Sequence, residues 1–243
     1  MRDIIKRCPI LRWSGILFLL LVFLAAGCCT VFLSRRVANS CARQMPVATV
    51  ILDAGHGGID GGAVGINGAL EKDLNLAVAM RLAELLREAG VEVILTRDAD
   101  ILLDGGEGGR RKENDLKNRL AVAAAYPDAL FVSIHMNTFP SESCKGFEAY
   151  YADTEGSRDL AERIHAAVKE RLLPSNRRTV RAADSSIYLL DKAEGRAVLL
   201  ECGFLSNPEE CQSLCEKDYQ NRLCFAVFCG IMEHIDVCKG EGL

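Results

Sequence analysis

Val50-Ile51-Leu52-Asp53-Ala54-Gly55-His56-Gly57-Gly58 is the stretch on which the fold turns. With Thr49 in front of it, four β-forming residues in a row read as a short buried strand, at about 48–53. The strand breaks at an acid and a glycine-flanked histidine. Glycine on both sides lets the backbone turn sharply enough for the imidazole to project from the strand end. In α/β sheets that is where ligands bind, in the crevice beyond the strand C-termini. A lone histidine there is an ordinary turn residue, so His56 acquires meaning only through partners elsewhere in the chain.

Working outward, a glycine-rich loop (57–68) leads to a helix opened by Glu71, with Leu74, Val78, Leu82, Leu85 and Ala89 on one face. Gly90 caps that helix, and 91–96 reads as a second strand. A Gly- and acid-rich loop (103–109) precedes a helix at about 112–125. The apolar run 130–134 is a third strand, ending at His135-Met136-Asn137. Residues 147–151 alternate as a strand should, and 157–173 forms a helix that stops before Pro174. A basic loop with Arg177, Arg178 and Arg181 runs to an expected strand at 187–190. Another buried strand, 197–200, ends at Glu201. Ser206 and Glu209 have the spacing of a capping box, and a last helix covers about 218–237. This alternation predicts an α/β fold: one domain, 47–240, whose twisted, largely parallel or mixed sheet is flanked by helices on both faces.

The first 46 residues have a different character. Trp13 to Leu33 is an uncharged run of 21 residues. As a helix it would be about 31 Å long, close to the roughly 30 Å of a bilayer core. Arg2, Lys6, Arg7 and Arg12 precede it, which places a basic N-terminus (1–12) in the cytoplasm and a transmembrane anchor at 13–33. Residues 34–46 are then a linker. The competing reading is a cleaved signal near Ala26 or Cys28, which would release the domain; the apolar run continuing through Leu33 favours the anchor. Either way the domain is exported to the cell envelope. Beyond Met45 the chain holds 22 basic and 32 acidic residues, a balance that excludes nucleic acid as the expected partner. Seven of the eleven cysteines follow the anchor region, an odd number without C-x-x-C spacing, which points to buried free thiols rather than a disulfide framework or a structural zinc site.

Three apolar strands thus lead to His56, His135 and Glu201. If they are parallel neighbours the three groups meet over one edge of the sheet, where Glu71 on the following helix also reaches. Two imidazoles and one carboxylate form a catalytic-zinc ligand set with a fourth position open to water. A second, unligated carboxylate is then needed to move the proton, and Glu201 is the spare one. Each residue also has a purely structural reading: Glu71 complementing a helix dipole, His135 in the core, Glu201 paired with an arginine such as Arg119. Jointly these are harder to accept, because unpaired charges at apolar strand ends cost several kcal/mol.

Asp53-Ala54-Gly55-His56-Gly57-Gly58, Glu71-Lys72-Asp73-Leu74-Asn75-Leu76, Ser133-Ile134-His135-Met136-Asn137 and Glu201-Cys202-Gly203-Phe204-Leu205-Ser206-Asn207 resemble the zinc-dependent N-acetylmuramoyl-L-alanine amidases of the Amidase_3 type, in order and spacing, from about 48 to 235. The resemblance implies that His56, Glu71 and His135 bind one Zn²⁺ and that Glu201 is the catalytic carboxylate. It implies a peptidoglycan substrate, glycan strand and stem peptide, cut between N-acetylmuramic acid and L-alanine. The single domain behind an N-terminal anchor, and Gly108-Gly109-Arg110-Arg111-Lys112 running into Asp115-Leu116, are similar to the germination-specific amidases of spore formers. That narrower likeness implies a role in cortex maturation, with a muramic acid deacetylase as functional partner in δ-lactam formation. Asn137, Arg177 and Arg178 are candidates for substrate contact; a loop-stabilising Asn137 and a solvated basic loop are the alternatives. His165 and His234 are not expected to be ligands. The competing functions are an inactive membrane-tethered peptidoglycan-binding protein and a zinc carboxypeptidase or deacetylase.

Overall fold

The computed structural model describes residues 22–23, 47–105 and 111–240. Six strands form one mixed sheet: β1 (Thr49–Ala54), β2 (Glu92–Leu95), β3 (Leu130–Asn137), β4 (Glu148–Tyr151), β5 (Val180–Ala182) and β6 (Ala197–Phe204). The helices are α1 (Glu71–Glu88), α2 (Arg111–Ala124), α3 (Ser157–Arg171), α4 (Tyr188–Asp191), α5 (Pro208–Cys215) and α6 (Lys217–Gly240). Across the sheet the order is β2-β1-β3-β6-β4-β5. The first four strands are mutually parallel, β4 is antiparallel to β6, and β5 is parallel to β4.

Strand alternation divides the sheet's side chains between two cores. Val50, Leu52, Leu130, Val132, Ile134, Val198 and Leu200 face a large core closed by α1, α3 and α6. Ile51, Phe131, Ala197 and Leu199 face a smaller one closed by α4 and part of α2. Strands buried on both faces read as continuous apolar runs, which is why 50–52, 130–132 and 197–200 lack polar alternation. The expected α/β architecture is present, and β1, β3 and β6 are parallel neighbours.

Three local expectations are corrected. Residues 187–190 are not a strand: 188–191 form the short helix α4, whose adjacent Leu189 and Leu190 both bury in the smaller core. A four-residue apolar run carries no period that separates strand from helix. The strand of that region is β5, inside the segment read as a basic loop. The cap of α5 is Asn207, whose Oδ1 accepts from Glu210 N at 3.0 Å, with Pro208 at the first helical position. Ser206 instead accepts a hydrogen bond from Phe139 N at 3.1 Å. Finally, His135 and Glu201 lie within β3 and β6 rather than just past their ends.

Among the described residues no helix is long and apolar enough to cross a membrane. The expected cytoplasmic segment (1–12), nearly all of the anchor (13–33), the linker (34–46) and Gly108-Gly109-Arg110 lie outside those residues.

All seven described cysteines are free; Cys202, Cys211 and Cys224 are buried and Cys215 is exposed. Burial pushes the Cys224 thiol up to about 12 and that of Cys202 well above its ordinary value. Alkylation of the native protein near pH 8, mapped by peptide mass spectrometry, is therefore expected to mark Cys215 and to spare Cys202 and Cys224 until denaturant is added.

Candidate active site

Asp53, the last polar residue of β1, is fully buried and accepts from Thr96 Oγ1 at 2.7 Å, Ser133 Oγ at 2.7 Å and Arg119 Nη1 at 2.6 Å. Burial alone would raise its pKa, but the Arg119 guanidinium and the two hydroxyls outweigh that and hold the carboxyl below its ordinary value. Arg119 does not pair with Glu201. It binds Asp115 Oδ2 at 2.7 Å, then reaches Ala54 O at 2.8 Å and His56 O at 2.7 Å. Arg97 adds bonds to Ala54 O at 2.8 Å and Gly55 O at 3.0 Å. Two buried guanidiniums therefore fix the backbone on which His56 sits.

That backbone is unusual. His56 has φ 62°, a left-handed conformation that only a few per cent of non-glycine residues adopt. Gly55 is required beside it, because a Cβ there would strike the His135 ring. Gly62 is needed for a similar reason, since its Cβ would press on Glu71 and His56.

His56, Glu71 and His135 converge, each offering a donor atom within 4.8 Å of the other two. His56 Nε2 is 3.2 Å from Glu71 Oε2, and His135 Nδ1 is 2.9 Å from Glu71 Oε1. Glu71 is held by Ala63 N at 2.8 Å, Met136 N at 3.1 Å and Asn75 Nδ2 at 3.3 Å. Burial would raise its pKa, but its contacts with the two imidazoles reverse the shift and leave it far below the ordinary carboxylate range. His56 Nδ1 lies 2.9 Å from Asp60 Oδ2. A carboxylate only accepts, so Nδ1 carries the proton and Nε2 turns its lone pair toward Glu71. Two acceptors facing one another require a positive charge between them, either a proton or a metal ion. Burial lowers the His56 pKa, while Glu71 and Asp60 more than offset it, and the net shift is upward. The residues fit a metal: nitrogen and oxygen donors, an anchored carboxylate, and a second carboxylate orienting one imidazole from behind.

Glu201 is the cross-strand partner of His135. Its Oε2 is buried without a hydrogen-bond partner. Burial, partly opposed by His135 and reinforced by Glu71 and Glu148, pushes its pKa up to about 7. Glu148, the first residue of β4, faces Glu201 from the other side. Asn137 gives Nδ2 to Glu148 Oε2 at 3.2 Å, and Arg178 Nη1 lies 3.3 Å from Glu148 Oε1. Arg177 is exposed and lines a neighbouring cleft with Lys145 and Glu209. His165 and His234 lie elsewhere, against Asn176 at 3.2 Å and Asp159 at 2.7 Å.

Sequence reading thus named the four central groups but missed their supports. Asp60, an acid four residues after His56, carried a visible signal. Asn75, four residues after Glu71 on the same helix, carried a similar one; Glu148 and the two guanidiniums did not, since their partners are distant in sequence.

A His–Glu–His donor set beside an unpartnered carboxylate, at the edge of an α/β sheet, is the arrangement a metal-dependent hydrolase requires. Residues 50–233 match the N-acetylmuramoyl-L-alanine amidase family Amidase_3, and the chain belongs to it. It is similar to the germination-specific N-acetylmuramoyl-L-alanine amidase of Bacillus subtilis, at 36% identity over 76% of this chain and 78% of that protein. Its fold resembles the CwlD amidase of Clostridioides difficile, solved in complex with the GerS lipoprotein, with a TM-score of 0.74 and 38% identity over 78% of this chain and 99% of that one. The AmiC2 amidase of Nostoc punctiforme superposes with a TM-score of 0.69, at 32% identity over 79% of this chain and 99% of that one.

Arg119→Met removes the cation that neutralises Asp53 and releases the His56 carbonyl. The expected loss is about 3–5 kcal/mol in urea unfolding, the usual cost of stranding a buried charge. Adding Asp53→Asn should restore part of it.

Proposed function

We propose that this protein hydrolyses the amide joining the lactyl group of N-acetylmuramic acid to the L-alanine of the peptidoglycan stem peptide. The observation that carries the reading is Glu201: a part-buried carboxylate whose Oε2 is enclosed without a partner, paired across the strands with His135 of the His–Glu–His donor set. Family membership supplies the bond; this pair of features supplies the means to break it.

His56, Glu71 and His135 would hold one Zn²⁺, which when bound supplies a polarised water and Lewis-acid activation of the scissile carbonyl. Asp60 keeps the His56 ring in the tautomer that presents Nε2. Glu201 accepts the proton of the attacking water at its unpartnered Oε2. It then delivers that proton to the alanine nitrogen as the C–N bond breaks, so the amine leaves neutral. A group near pKa 7 serves both transfers, whereas a fully solvated carboxylate would be a poor acid at neutral pH. Asn137 acts through Glu148, positioning it beside Glu201, and Arg178 offers its guanidinium to the stem peptide; Arg177, exposed on the next cleft, is an outer contact for the same chain.

The apolar run 13–33 supports a membrane-anchored enzyme with its catalytic domain outside the cytoplasm, or a secreted one if the run is cleaved. Likeness to the germination-specific relative supports a place in spore-cortex maturation, with a muramic acid deacetylase acting next. The lipoprotein complex of the clostridial neighbour supports a protein partner as well.

Digestion of peptidoglycan by the zinc-loaded protein, followed by mass spectrometry, should reveal new alanine N-termini; released acetate or C-terminal residues would instead indicate a deacetylase or carboxypeptidase. Glu201→Gln is expected to retain zinc and to lower kcat by about 10²–10⁴. His135→Ala is expected to lose zinc by elemental analysis, and full occupancy in that variant would contradict the ligand set.

A further inference from the structure

Beyond Glu201, the sheet carries a second group of charges that the bond-breaking chemistry does not use. Register places Glu201 opposite Glu148, and Leu199, Tyr150 and Arg181 in one row across β6, β4 and β5. Residues paired in register project from the same face, which here is the side of the smaller core. Glu148 is 2% exposed and receives two cations: Arg178 Nη1 at 3.3 Å and Arg181 Nη2 at 3.7 Å. Two guanidiniums thus converge on one buried carboxylate.

Neither cation is spent on Glu148. Arg178 is fixed by its Nε, which donates to Lys145 O at 3.1 Å, and by the Phe204 ring beneath it, 4.6 Å from the guanidinium carbon. Arg181 keeps 56% of its side chain exposed. Each guanidinium has five N–H donors, and Glu148 occupies only a fraction of them. Glu148 thus gathers both heads around its own carboxylate, and Glu148 itself lies one strand spacing, roughly 5 Å, from Glu201.

We propose that Arg178 and Arg181, assembled by Glu148, bind a free carboxylate on the second residue of the stem peptide, and so make the enzyme selective for acidic over amidated stems. This rests on the amidase reading. From the alanine nitrogen at Glu201, one Cα-to-Cα step of 3.8 Å and a bond or so at either end reach a carboxylate on the next residue, about 6–7 Å away. The two guanidiniums, 3.3 and 3.7 Å from the carboxylate of the residue paired with Glu201, lie on the side of the crevice where that group would arrive. A planar fork recognises a carboxylate and has no acceptor for an amide N–H.

The test uses the zinc-loaded full-length chain with two muramoyl dipeptides, identical except that the second residue carries a free carboxylate or its carboxamide. Wild type is expected to prefer the acid by about ten- to hundred-fold in kcat/KM, the size of a charge-assisted hydrogen bond. Arg181→Gln should collapse that ratio toward one, mainly through a higher KM for the acid, and Arg178→Gln should do the same with partial rescue by Lys. Binding of the acid and amide to Glu201→Gln by calorimetry should show the same preference without turnover. Equal handling of both substrates by wild type, a ratio untouched in Arg181→Gln, or a loss confined to kcat would overturn the clamp. Failure to release an alanine N-terminus from either substrate would instead overturn the amidase reading, and the calorimetric comparison would still judge the clamp.

Discussion

The buried pair of Asp53 and Arg119 is the constraint on which the site depends. Taking both charges out of water costs several kcal/mol each, and the pair is tolerable only because every lone pair and donor around it is used. Thr96 and Ser133 complete Asp53, Asp115 completes Arg119, and the remaining guanidinium donors go to the carbonyls of Ala54 and His56. Those carbonyls belong to a loop that leaves β1 and must turn at once through a left-handed His56. Without donors they would be buried and unsatisfied. The same bonds that stabilise the ion pair therefore hold a strained residue in the one conformation that aims its ring at Glu71.

Three glutamates then share a crevice while facing three different environments. Glu71 accepts from backbone and histidine donors and stays ionised, as a ligand must. Glu148 lies between two guanidiniums, its charge spent on holding them. Glu201 Oε2 has no donor, and burial, only partly opposed by the two histidines, raises its pKa. Identical side chains are assigned to binding, scaffolding and proton transfer by surroundings alone. Closeness also matters, because the charges of Glu71 and Glu148 help disfavour a third carboxylate beside them.

Much of this was legible in the chain. The runs leading to His56, His135 and Glu201 are long and apolar enough to announce buried strands, and Glu71 opens a helix with an unbroken apolar face. Their adjacency rests on pairing, which no local pattern encodes. β5 was invisible because its three residues, Val180, Arg181 and Ala182, are too few to establish a period and have little burial. α4 was misread because two adjacent leucines fit a strand as well as a single helical turn. Asn207 took the cap from Ser206 because Pro208 fixes where the helix begins. Glu148 looked like an ordinary strand residue, since its meaning comes from Glu201 and two arginines far away in sequence.

The direction of the strands explains why chemistry was easier to read than recognition. β1, β3 and β6 run in parallel and bring their C-terminal portions to one edge, so the reactive groups follow apolar runs and stand out. β4 and β5 run the other way and begin at that edge. Their first residues, Glu148 and the Arg178–Arg181 segment, emerge directly from loops and carry no preceding pattern. A fully parallel sheet would have needed a crossover to each strand and would have put their last residues in the crevice instead. Reversing the two short strands at one side of the sheet lets loops hand charged residues to a site whose floor is built from strand ends. His135 and Glu201 thus sit on central strands, with His56 and Glu71 on the loop and helix that follow β1, whereas the arginines proposed to meet the stem peptide sit toward the β5 side of the sheet, away from the ion pair beneath His56.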